Sequence, residues 1–315
     1  MKPTRLYDWG FNTKMIEGYD LGLPGRTGIY VLEGEELTLI ESGPSPSVPY
    51  ILKGLEELGY SPDVVKNIIV THIHLDHAGG AGLLLQSCPN ARVVVHPRGA
   101  RHLADPSRLI QGARMVYGDH FEPLFDPVVP IPEERIFVRK DNQTLAIGKN
   151  RILRFIDSPG HAAHHFSIFD SGSMGLFTGD TAGIHYSQTE EYGFTFCLPS
   201  TSPNQFDPEA MRESIGKFRI LGPERLFFGH FGMLENPEEA YCQVLRGLDD
   251  FMDDAKEAMT RGEGGKGIEK RLKERYQRLL RERGVPEENP LFEILYLDLS
   301  VCAMGLEHYW NTKRE

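Results

Sequence analysis

Residues Thr71–Gly80 read THIHLDHAGG, and these ten positions decide the class of fold and of chemistry for the whole chain. They follow Asn67-Ile68-Ile69-Val70, a short apolar run with the β-branched content of a buried strand. His72, His74, Asp76 and His77 fall within six positions. In extended chain, residues two apart point the same way, so His72 and His74 grip one cation from one side. Asp76 and His77, reached as the chain turns toward the glycines, face a second. Imidazole and carboxylate ligands suit zinc, iron or manganese. A His-x-His-x-Asp-His run at a strand-to-glycine junction has no packing rationale and an evident metal-binding one.

The remaining ligands must come from elsewhere, and three later segments supply them. Asp157-Ser158-Pro159-Gly160-His161 follows the strand-like Ile152–Ile156 and presents His161 past a Pro-Gly turn. Gly179-Asp180 follows Gly175-Leu176-Phe177-Thr178, and Gly229-His230 follows Arg225-Leu226-Phe227-Phe228. Each is weak alone, since glycine pairs of this kind are usually turns. Four strand ends of one design, each delivering a ligand-type side chain, are another matter, because ligands gather where strands stop side by side.

These motifs, with an acidic residue after an early strand, THIHLDHAGG, SPGHAAHH, FTGDT and FFGHFG in that order, resemble the metallo-β-lactamase-fold superfamily, most closely its glyoxalase II-like hydrolase branch. The resemblance covers roughly residues 20–235. It implies an α+β four-layer αββα sandwich with a first metal on His72, His74 and His161, a second on Asp76, His77 and His230, and Asp180 bridging both. One departure stands at Glu41, where the family usually has Asp to orient the histidine loop; the longer side chain shifts that support without removing it.

Composition excludes several classes. A net charge of -11 is wrong for a nucleic-acid partner, which needs clustered Lys and Arg. Cys88, Cys197, Cys242 and Cys302 are scattered without a CxxC pair and read as reduced core thiols. No apolar stretch near Met1 suggests a signal peptide or membrane span, so the expected location is cytoplasmic, without membrane association.

Thr27–Leu32 and Leu37–Ile40 read as a hairpin, Pro49–Gly59 as an amphipathic helix, Ala81–Leu85 as the start of another helix and Ala91–His96 as a strand; a second strand set runs from Glu134 to Phe177. This alternation fits two sheets between helices. The expected division is a metal-binding catalytic domain over 1–235 and a helical extension over 236–315, with helical stretches at Pro237–Thr260, Gly267–Arg283 and Glu293–Trp310. These helices either cap the sandwich, pair two copies as a homodimer, or wall the pocket. Pro106–Phe125 and Gly183–Leu198 are specificity candidates; Tyr186 and Tyr192 of the latter are expected at the pocket mouth. His164 and His165 support the site without ligating, and His96, His102 and His308 are structural.

Two cations bridged by Asp180 can share a water, lower its pKa and polarise a substrate carbonyl. Asp76 and Asp180 are therefore the expected catalytic carboxylates, Asp76 as proton acceptor. The reading is a metal-dependent hydrolase acting on a small-molecule thioester or other carboxylic ester, with two divalent cations, zinc first and iron or manganese as alternatives. Three other readings stay open: a lactonase, with Tyr186 replacing a family tyrosine expected at Gly183; a single-iron sulfur dioxygenase; and a non-catalytic metal-binding effector protein.

Overall fold

The computed structural model describes residues 2–312, which divide into two compact units. The first holds the chain up to Asp157 together with His164–Gly179 and Pro223–Glu235; the second holds Ser158–Ala163, Asp180–Gly222 and the chain described from Asn236 on.

The first unit contains both large sheets. One is β1 (Leu6–Asp8), β2 (Thr13–Glu17), β3 (Gly28–Leu32), β4 (Leu37–Ile40), β5 (Val65–Ile69), β6 (Arg92–Val95) and β7 (Ile136–Val138), in that order. β1 to β4 pair antiparallel and β4 to β7 parallel. The hairpin expected over 27–40 is β3–β4, with Tyr30 opposite Ile40. β4, β5 and β6 are covered on both faces, which is why they read as apolar runs rather than as alternating strands. On one face Ile29, Leu39, Ile68 and Val93 pack with Ile51 and Leu55 of the helix Val48–Glu57 and Leu84 of the helix Ala81–Ser87.

The other face meets the second sheet. Its strands are β8 (Thr144–Gly148), β9 (Arg151–Asp157), β10 (Phe166–Asp170) and β11 (Gly175–Gly179), then, after the small ribbon β12 (Ile184–His185) and β13 (Cys197–Leu198), β14 (Arg225–Phe228) and β15 (Met233–Leu234). The order is β15-β14-β11-β10-β9-β8, antiparallel except for the parallel β11–β14 pair. Tyr30, Ile40, Ile69 and Val94 interdigitate with Phe155, Phe166, Phe177 and Phe227 in the core between the sheets. Arg151 stitches the sheets with charge: it donates to both carboxylate oxygens of the fully buried Asp170 at 3.0 and 2.7 Å, and to Asn12 O and Thr13 Oγ1 at 2.8 and 2.7 Å.

The region 106–125 folds as the helices Ser107–Tyr117 and Phe121–Phe125. Phe121 and Phe125 pack on Leu75, the residue between His74 and Asp76, so this insert steadies the histidine loop from outside.

The second unit carries β12–β13, the helix Pro208–Leu221 and three long helices, Pro237–Thr260, Gly264–Glu282 and Leu291–Thr312. Asp207 caps the first of these by accepting from the N–H groups of Glu209 and Ala210, with Pro208 at the first helical position and Gly222 in a left-handed conformation at the other end. In the helix Gly264–Glu282, Ile268, Leu272, Tyr276 and Leu280 recur every four residues as a buried stripe. Cys88, Cys197 and Cys302 are buried; Cys242 is exposed, so it is not the core thiol expected. Among the described residues no helix is long and apolar enough to cross a membrane.

Candidate metal centre

In the first unit the histidine loop follows β5, and the elements beside it orient its rings. Thr71 donates its hydroxyl to the Glu41 carboxylate, and its backbone N–H donates to the other Glu41 oxygen at 3.3 Å. Having spent its proton on Glu41, Thr71 Oγ1 can only accept from His72 Nδ1, 3.1 Å away. His77 Nδ1 faces Glu41 Oε1 at 3.3 Å. One buried carboxylate therefore supports the loop at two points, through the Thr71 hydroxyl that meets His72 Nδ1 and beside the His77 ring. The extra methylene expected to shift this support keeps it, and Glu41 reaches its position with φ 69°, a left-handed conformation that costs a non-glycine residue about 1–3 kcal/mol.

His230, on the loop after β14, donates from Nδ1 to the carbonyl of Arg26 at 3.2 Å. The Arg26 segment is pinned by its own buried ion pair, Nε to Asp20 Oδ2 at 3.0 Å. Burial raises the Asp20 carboxyl above its ordinary pKa, opposed by Arg26 and reinforced by Asp76. The donor atoms of Asp76, His77 and His230 all lie within 4.8 Å of one another. Asp76 Oδ2 sits 3.7 Å from His77 Nε2 and 3.7 Å from His230 Nε2. The His72 and His74 rings meet edge to face with centroids 4.6 Å apart.

The second unit repeats the pattern. His161 Nδ1 donates to the Ser200 carbonyl at 3.0 Å, and its Nε2 faces Asp180 Oδ2 at 3.6 Å. Ser200 Oγ donates to that same Asp180 oxygen at 3.0 Å, and Ser202 Oγ to the His161 carbonyl at 2.6 Å. Asp180 is the residue after β11, whose last residue must be glycine: Gly179 has φ 51°, and a Cβ there would lie 2.3 Å from His165 Nε2 and 2.7 Å from Thr71 Oγ1.

The Nε2 atoms of His77 and His230 thus lie 3.7 Å from Asp76 Oδ2, and that of His161 lies 3.6 Å from Asp180 Oδ2. Nitrogen and oxygen donors in this arrangement fit a divalent cation, and by donor type they fit zinc, iron or manganese.

His165 is fully buried, with its ring 5.1 Å from that of His72. His96 is paired: Nε2 donates to Asp157 Oδ1 at 2.7 Å, at the end of β9. The expectation for Tyr186 fails. It is 2% exposed and donates its hydroxyl to Asp298 Oδ2 at 2.8 Å, with Phe196 packed at 5.3 Å, so it is a core residue of the second unit. Tyr192 is half-buried and accepts from Asn289 Nδ2 at 2.7 Å. The supports at Arg26, Ser200 and Ser202 are new relative to the sequence, where a backbone carbonyl or a lone serine carries no signal.

The carboxylate of Glu41 is expected to matter for metal retention. Glu41→Gln should weaken metal binding about 10- to 100-fold, as loss of a group that orients ligands does. Competition against a chromophoric chelator measures this, and an affinity within twofold of the parent would show that the Glu41 charge has no hold on the histidines.

A family model described as the metallo-beta-lactamase superfamily matches residues 22–230, and the chain belongs to that superfamily. It is 30% identical over 228 residues to the metallo-beta-lactamase fold-containing protein ST1585 of Sulfurisphaera tokodaii, covering 70% of this chain and 80% of the relative. The crystal structure of the archaeal superfamily protein ST1585 from Sulfolobus tokodaii matches with a TM-score of 0.67 at 23% identity, over 94% of this chain and 98% of that one. A hydroxyacylglutathione hydrolase of Albidiferax ferrireducens is 31% identical over 163 residues, 50% of this chain and 49% of the relative.

Proposed function

We propose that the chain is a metal-dependent hydrolase acting on a thioester or another carboxylic ester of a small molecule. The observation that supports this reading is the cluster of Asp76, His77 and His230, whose donor atoms all lie within 4.8 Å of one another with both histidines buried. In this reading His72, His74 and His161 would hold one cation, Asp76, His77 and His230 a second, and Asp180 would be shared by both. The matched superfamily and a relative named as a hydroxyacylglutathione hydrolase support the reaction class. Residues 1–235 would carry the site and 236–315 the helical extension, in a cytoplasmic protein.

The cations, zinc by default, supply Lewis acidity when bound: an acidified water and a polarised carbonyl. The chain's own residues do the rest. Glu41, Arg26 O and Ser200 O fix the rings so that no reorganisation is needed as charge develops. Asp76, with 21% of its side chain exposed, is the more open of the two catalytic carboxylates and takes the proton released by the attacking water. Asp180, held by Ser200 and nearly fully buried, would be the ligand shared by the two cations. The lactonase alternative loses its residue, because the Tyr186 hydroxyl is committed to Asp298.

Protein saturated with zinc and then desalted should hold two metals per chain by elemental analysis and hydrolyse thioesters ahead of lactones and phosphodiesters. One metal or fewer per chain would overturn the binuclear reading, and iron retention with thiol-dependent oxygen uptake in place of hydrolysis would establish the dioxygenase alternative.

A further inference from the structure

We propose that the second unit carries a separate ligand site, a cleft between the segment 190–198 and the helices Pro237–Thr260 and Gly264–Glu282 that binds a small organic anion with an apolar body. The cleft has a volume of about 980 Å³ and is lined within this unit alone. That volume lies at the upper end of the range for small-molecule sites, about 300–1,000 Å³. None of His161, Asp180 or the other proposed metal ligands lines it, so the inference stands independently of the hydrolase reading.

Its floor is apolar. Phe196 and Tyr276 are 4% and 2% exposed, with ring centroids 6.1 Å apart, and Leu198 lies beside them. Higher up, Leu279 is 37% exposed on the wall. Such a surface shelters a hydrocarbon or aromatic body, as ligand pockets commonly do.

The charges around it decide the sign of the ligand. Of the carboxylates on the lining, Glu238 pairs with Arg219 at 2.6 Å, Asp250 with Arg275 at 3.0 Å and Glu190 with His185 at 3.3 Å. The three partners Arg219, Arg275 and His185 are not among the lining residues, so each pairing compensates a lining carboxylate from outside the cleft. Glu239 accepts from Gln243, whose amide also ties Thr195 O and Cys197 N to the helix at 3.0 and 2.9 Å. Arg246 and Arg283 are different. Arg246 Nε donates only to the carbonyl of Cys242, one turn back on its own helix, at 3.2 Å, and Arg283 lies over the Phe194 ring at 5.5 Å. Among the described residues no carboxylate comes within the 4.0 Å ion-pair distance of either guanidinium. The cleft therefore presents two arginines with donors to spare above an apolar floor. A guanidinium fork matches a carboxylate or a phosphate, which is the chemistry the site would recognise.

The test uses 8-anilinonaphthalene-1-sulfonate, an aromatic anion, titrated by fluorescence into the full-length protein with its metals and again after chelation. Saturable binding at one site per chain is expected in both states, displaced by decanoate or by phenyl phosphate and not by decanol. Arg246→Gln and Arg283→Gln should each raise Kd about tenfold, the effect of losing one charge-assisted hydrogen bond. Arg246→Lys, which keeps the charge, should stay within about threefold, separating charge recognition from any disturbance of the helix. A double Gln variant with Kd unchanged within twofold, binding that disappears on chelation, or displacement by decanol as effective as by decanoate would each overturn the proposal. So would a dimer, seen by light scattering, that the same Gln variants dissociate and that excludes the dye.

Discussion

Asp180→Ala is expected to lower kcat/KM for the best thioester by at least about a thousandfold, roughly 4 kcal/mol of transition-state stabilisation. Asp180 is 2% exposed, lies directly after β11 and receives both the Ser200 hydroxyl and the approach of His161. Its removal takes away the proposed bridge while leaving the sheet that ends at Gly179 intact, since the ligands sit on strand ends outside the apolar core. Far-UV circular dichroism should match the parent and the metal content should fall below two per chain. Activity retained within tenfold would sink the assignment of Asp180. His74→Ala, at the half-exposed ligand position, should behave alike. If the metal-free parent is instead unfolded at room temperature, the cations are structural.

Asp170→Ala should produce the largest loss of stability, about 3–5 kcal/mol, because it strands the buried Arg151 guanidinium. Arg151 is 7% exposed and reaches from β9 to the β1–β2 turn, so the unpaired charge would sit where the two sheets are joined. Asp170 also caps its own turn, accepting from the N–H groups of Gly172 and Ser173 at 3.0 and 3.1 Å, which adds to the cost. Urea denaturation with an unchanged slope would measure it. A loss under about 1 kcal/mol would mean that water reaches the pair and solvates it, as it does surface ion pairs.

The candidate ligands were legible before the fold was known because their signal is local. Each follows an apolar strand and a turn of glycine or extended chain, and those are features of adjacent residues. The same holds for the β3–β4 hairpin and for the long helices, whose apolar period is written into consecutive turns. The helix Pro208–Leu221 was equally open to reading from Asp207, Pro208 and Gly222, the residues that start and stop helices. Aromatic spacing in the segment 183–198, by contrast, suited a pocket mouth and a core equally well. Tyr186 went to the core because Asp298, 112 residues later, stands within reach of its hydroxyl.

By itself, then, the sequence determined the superfamily and the two-sheet α+β architecture, and it put forward seven candidate ligands, since strand periodicity and ligand type are properties of neighbouring residues. Only the tertiary structure decided which protein groups meet the histidine rings. Glu41 faces His77, Arg26 O accepts from His230 and Ser200 O accepts from His161, and two of these are backbone carbonyls that any residue would supply. It also decided which arginines reach the acids that line the cleft, Arg219 meeting Glu238 and Arg275 meeting Asp250. Pairing of this kind is set by distance in space, and residue spacing along the chain does not encode it.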